Sequence, residues 1–98
     1  MSLHIVEFTP LQRFLISLLI EINTAREATS SYSVDYHSAT AQGMVYAALT
    51  LKVISLEEFE RLTDLAIEAA DYRRCEHTNN LALYTWTPAM AKAQEAAA

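Results

Sequence analysis

The sequence predicts a mostly α-helical single domain spanning residues 1–98, with a three-helix core and a short C-terminal helix. Three observations carry that prediction. The 98 residues include one Gly and two Pro, too few turn residues for a sheet-rich fold. Helix-start signals stand at Thr9-Pro10, Ser55-x-x-Glu58 and Thr87-Pro88. Apolar residues recur at helical spacing after the first two of these signals. The apolar fraction, 52%, is enough for a packed core, and a chain of this length has room for one.

Segment 3–8 (LHIVEF) is rich in β-branched and aromatic residues and reads as a short strand. Thr9 then offers a capping hydroxyl, and Pro10 at the first helical position forfeits no hydrogen bond. The first helix runs to about Ala28 on a ridge of Leu11, Phe14, Leu15, Leu18, Leu19 and Ile22. Ile16 and Ile20 form a second ridge nearly opposite the first. A helix apolar on two sides must bury both. Either it is central to the domain or one side meets a second copy, and Ile16 and Ile20 are the expected homodimer contact.

Residues 29–38 (TSSYSVDYHS) are polar and hydroxyl-rich and read as a loop ending in a helix N-cap. A second helix is expected over 39–52, built on small apolar side chains. Gly43 lies inside it at a cost to helix stability; a tight crossing with the first helix, or a tolerated imperfection, would account for it. Ser55 with Glu58 forms a capping box, and Ile54 with Phe59 a hydrophobic staple. The third helix should run from there to about residue 76. Segment 81–86 (LALYTW) resembles a second strand. The two strand-like segments either pair as a ribbon or lie extended in grooves of the bundle, since an isolated pair of strands is weak in water.

The third helix carries the chain's most distinctive surface. At about 100° per residue, Glu57, Glu60, Asp64, Glu68 and Asp71 fall within roughly 80° of arc. Phe59, Leu62, Leu65, Ala66, Ala69 and Ala70 take the other side. Arg61 is placed to pair with Glu57, but Glu60–Asp64 and Asp64–Glu68 are like charges at i,i+4 and repel. The strip is either the wet side of the helix or a face offered to a basic partner.

A net charge of −5 argues against direct nucleic-acid binding, which needs basic patches. Residues 1–8 lack the pattern of a signal peptide, and the longest apolar stretch, residues 14–22, is too short to span a bilayer. With Cys75 as the only cysteine, a reducing cytoplasm is the expected setting. No membrane partner is expected.

Catalytic signals are sparse. Cys75, His77 and His37 are the residues a thiol- or metal-dependent regulator would use, with His4 the remaining histidine. Structural zinc sites need four ligands at characteristic spacings, and a nucleophilic thiol needs a histidine beside it. Neither pattern is present, so no metal or cofactor is expected. Asp35 and His37 near Ser30, Ser31, Ser33 and Ser38 have the residue types of a hydrolase triad without a nucleophile elbow. Tyr32 and Tyr36 are candidates for exposed contacts, because Tyr anchors interfaces well.

The segment Gly43-Met44-Val45-Tyr46-Ala47-Ala48-Leu49, followed by Ile54-Ser55-Leu56-Glu57-Glu58-Phe59, resembles a helical hairpin seen in small proteins of phages and plasmids. The resemblance covers about a third of the chain and its motif is a general capping pattern. It implies an accessory role in a mobile element, modulating a host protein, a transcription complex or a defence nuclease. Small anti-CRISPR proteins are similar in size and charge only. The hairpin is not a DNA-binding one, since its second helix carries acids where a recognition helix needs donors.

The expected protein is therefore a non-enzymatic binding module. It would engage a basic protein surface through Glu57, Glu60, Asp64, Glu68 and Asp71, and dimerise through Ile16 and Ile20. A metal- or thiol-dependent enzyme, or a structural subunit of a larger assembly, is the alternative.

Overall fold

The computed structural model describes residues 7–83. They form three helices, α1 (Pro10–Glu27), α2 (Ser31–Thr50) and α3 (Leu56–Thr78), each packed against the other two. No strand occurs among the described residues. Of the anticipated ribbon, Glu7, Phe8 and residues 81–83 are described and are not strand. The rest of both segments, and the C-terminal helix, lie outside the described residues.

Helix α1 starts as its sequence implies. The Gln12 amide N–H donates to Thr9 Oγ1 at 3.1 Å, and the Thr9 N–H donates to Gln12 Oε1 at 2.8 Å. This second capping box uses Gln in place of Glu. Helix α3 opens with the expected box: the Glu58 N–H donates to Ser55 Oγ at 3.1 Å, and the Ser55 N–H to Glu58 Oε1 at 3.0 Å. Beside that turn, Ile54 is buried in the core and Phe59 packs against the same cluster.

Helix α2 begins eight residues earlier than expected, and 31–38 is helix in place of loop. Ser30 is the true N-cap, accepting from the Ser33 N–H at 3.2 Å. Val34, Ser38, Ala41, Val45 and Ala48 then make one buried row at i,i+3/i+4 spacing. The hydroxyl-rich side chains around them face outward, which masked the row. The helix stops at Thr50 because Lys52 turns left-handed, with φ 59°. The Lys52 N–H then donates to Leu49 O and the Val53 N–H to Ala48 O, the Schellman arrangement. Helix α3 ends the same way: Asn80 has φ 53°, and the Leu81 N–H donates to Glu76 O at 2.7 Å.

The core is small. Leu18 and Ile22 meet Ala41, Val45, Ala48, Ile54 and Ala66, and a second cluster holds Ala28, Val34 and Ala70. Small side chains let the helices approach closely and leave little large apolar volume inside. Helix α1 is not the enclosed central helix expected from its two ridges, since Leu11, Ile16, Leu19 and Ile20 are all exposed. Leu65 is exposed too, although it was expected on the packed side of α3. A Cβ at Gly43 would meet nothing within 4 Å. No close crossing with α1 therefore accounts for a glycine that costs the helix about 1 kcal/mol against Ala.

The end of the bundle where α1 meets α2 is held by charge. Glu76 and Arg73 are buried on α3, continuing the row of Ala66 and Ala70. The Glu76 carboxylate accepts from Arg26 Nη1 at 2.5 Å and from Arg73 Nη1 at 3.3 Å. Arg73 Nε donates to the Ala28 carbonyl.

Candidate functional site: the acidic face of α3

The strip predicted from helical periodicity forms intact, because α3 runs unbroken from Leu56 to Thr78. Glu57, Glu60, Asp64, Glu68 and Asp71 are all exposed. The side of α3 turned inward is marked by buried Ala66, Ala70 and Arg73, and the five acids stand away from it.

The strip is not uniform. At its N-terminal end Arg61 Nη2 reaches Glu57 Oε1 at 2.7 Å, with both side chains largely exposed. At the other end Arg74 Nη1 reaches Asp71 Oδ1 at 2.9 Å, a pairing the spacing did not bring out. Arg74 also donates from Nη2 and Nε to Asp35 Oδ1 of α2 at 2.7 and 3.0 Å. The hydrogen bond to Asp35 holds the Arg74 guanidinium above its ordinary pKa. Between these ends, Glu60, Asp64 and Glu68 form no ion pair or hydrogen bond among the described residues. They lie one turn apart on a straight helix, so their fields add on one edge. The chemically distinct part of the strip is this middle run of three, bounded by ends that each hold an arginine.

Ile16 and Ile20 lie on the pole of α1 turned away from both neighbours. Glu21 marks the α2 side, its Oε2 lying 2.7 Å from His37 Nδ1. Arg26 marks the α3 side through Glu76. Ile16 is 41% and Ile20 58% exposed, and Leu19 is exposed beside them.

The other candidate residues are not brought together. His37 faces Glu21 across the α1–α2 seam. Cys75 is exposed, with the Asn79 side-chain amide donating to its carbonyl at 2.8 Å and 3.4 Å from its Sγ. His77 is partly buried, its Nε2 without a hydrogen-bond partner among the described residues. No group of three or more His, Cys, Asp or Glu placed to hold a metal ion occurs among the described residues. His4 lies outside them. The triad-like set is dispersed as well: Asp35 is engaged by Arg74, Ser30 caps α2, and Ser38 is buried and accepts from Gln42.

Tyr32 and Tyr36 are exposed as expected, but on α2 and not in a loop, with ring centroids 6.2 Å apart and planes at 24°. One surface feature was not foreseen. An open apolar groove of about 350 Å³ lies between the start of α1 and the end of α2. Its walls include Pro10, Leu11, Phe14, Met44, Ala47 and Leu51. Its one sequence signal was an excess of large apolar residues on α1 over what a core rich in Ala can cover.

No helix among the described residues is long and apolar enough to cross a membrane. Comparison with known protein families, with curated proteins and with solved structures finds no match to this chain.

Proposed function

We propose that this chain is a non-enzymatic protein-binding module whose acidic α3 edge docks on a basic protein surface. The observation that carries the reading is the run Glu60, Asp64 and Glu68: exposed, at i,i+4 spacing, and in no ion pair among the described residues, since the nearby Arg61 is held by Glu57. Glu57 and Asp71 extend the same edge, but each already holds an arginine and contributes less. Like charges one turn apart cost a helix a few tenths of a kcal/mol per pair. A Lys- or Arg-rich partner would relieve that repulsion and gain mainly in association rate.

The resemblance to accessory proteins of phages and plasmids makes capture of a host protein, acting as modulator or inhibitor, the role that fits this docking mode, with the cytoplasm as its setting. Self-association through Ile16 and Ile20 belongs to the same reading, since both side chains are exposed on an uncovered pole of α1. An Ile16→Glu chain that stays folded and scatters as a smaller species than the unaltered chain supports that contact.

Charge reversal tests the docking edge. The combined Glu60→Lys, Asp64→Lys and Glu68→Lys variant should keep its helicity and lose partner capture from extracts of the native host. Retained capture removes the edge from the mechanism.

A further inference from the structure

Helix α2 presents a second surface, distinct from the acidic edge and from the Ile16/Ile20 pole. Its only ionisable acid or base side chains outside the tyrosines are Asp35 and His37, engaged by Arg74 and Glu21 on opposite flanks. The outward face of α2 between those flanks is therefore uncharged, with Lys52 the one charge just past its C-terminal end. It runs from the stacked Tyr32 and Tyr36, past Gly43, to Tyr46 and Leu51, where it opens into the apolar groove. Among the described residues nothing packs at Gly43, so no described contact repays the cost of this glycine.

We infer that this face binds a second copy of the chain, with two α2 helices crossing antiparallel near Gly43. The geometry is self-complementary. Tyr36 stands about 10 Å from Gly43 along the helix in one direction, and Leu51 about 12 Å in the other. A two-fold axis at Gly43 therefore brings the tyrosine pair of each copy over the groove mouth of its mate, the reciprocal pairing an isologous contact requires. Glycine at the crossing lets the two backbones approach.

Area and charge both favour a second copy as the occupant. Tyr32, Tyr36 and Tyr46 are 77%, 56% and 65% exposed. Tyrosines of about 150–250 Å² each would cover about 400 Å² in this state. The exposed groove residues Leu11, Leu51 and Val53 extend this area toward the roughly 800 Å² per partner of a standard interface. Copies carrying a net charge of −5 repel each other, and an uncharged face is where that repulsion is least obstructive. A basic partner would gain nothing there.

Light scattering on the full chain at its highest soluble concentration tests the contact. Gly43→Lys should halve the mass while leaving helicity intact, since Lys is the better helix former and its Cβ has open space. The substitution also lowers the net negative charge, so general repulsion cannot explain a loss of association. Tyr36→Ala should weaken self-association roughly tenfold or more. Capture through the acidic edge should survive both changes, which separates this contact from the docking role. An unaltered chain that is monomeric, or a Gly43→Lys mass equal to that of the unaltered chain, overturns the inference. So does loss of a host protein from a folded Gly43→Lys chain of halved mass, which would assign the face to that protein.

Discussion

Arg73 donates its Nε–H to the carbonyl oxygen of Ala28 at 2.6 Å, tying the last turns of α3 to the residue that ends α1. The same guanidinium reaches Glu76, and Glu76 reaches Arg26. Three charged side chains thus close the end of the bundle where the apolar core runs out. They hold α3 in place, and the acidic edge with it.

Glu76→Ala should therefore be one of the most damaging single changes. It would leave Arg73 and Arg26 without their shared carboxylate in a site that is mostly dry. Loss of one partner from such a buried pair costs about 3 kcal/mol. Urea unfolding of the variant should show the midpoint shift, with an unchanged midpoint marking the cluster as ornamental.

Lys52→Gly should stabilise the chain. Lys52 occupies the left-handed position of the Schellman turn after α2, where a side chain is strained and glycine is not. The gain should be roughly 0.5–1 kcal/mol, read as a rise in thermal midpoint. Asn80 holds the equivalent place after α3 and tolerates it better, so Asn80→Gly should give less.

Acid should loosen the start of α3. The backbone N–H of Ser55, and then its hydroxyl, hold the Glu58 carboxyl below its ordinary value of 4.5. A carboxylate depressed in the folded state adds stability that is complete above the unfolded value and disappears as pH falls through the folded one. Glu58→Gln keeps an acceptor for the Ser55 N–H and should flatten that part of the stability profile below pH 4.5. A profile identical to that of the unaltered chain would contradict the assignment.

Asp64→Lys separates stability from binding. It removes two i,i+4 repulsions and places a cation beside Glu60 and Glu68, which should raise stability by about 0.5 kcal/mol. Capture should fall at the same time. A variant that is more stable and binds as before would show that the edge is only the wet side of α3.

How far the sequence could be read depended on where its signals were local. The Thr9-Pro10 start and the Ser55 box are decided by residues within one turn, and both helix starts followed from them. The acidic arc needed only helical periodicity. The first half of α2 was hidden because Ser38, a polar residue, fills a core position and interrupts the apolar row between Val34 and Ala41. Arg73 and Glu76 carry no local signal of burial; packing against Ala28 and Arg26 is what buries them. Arg74 was likewise invisible as a link to Asp35, since sequence spacing says nothing about two helices meeting. The exposure of Ile16 and Leu19 arose from the opposite limit: an α2 built on alanines cannot cover both ridges of α1.

The most direct test of the account follows the association rate of the captured host protein with the unaltered chain and with the Glu60/Asp64/Glu68 charge-reversed chain as salt is raised. The screening length shrinks from about 30 Å at 0.01 M to about 3 Å at 1 M. The account predicts a steep fall in rate for the unaltered chain, and slow association or none for the reversed chain at every salt concentration. Rates that coincide for the two chains and stay flat across the series would contradict it.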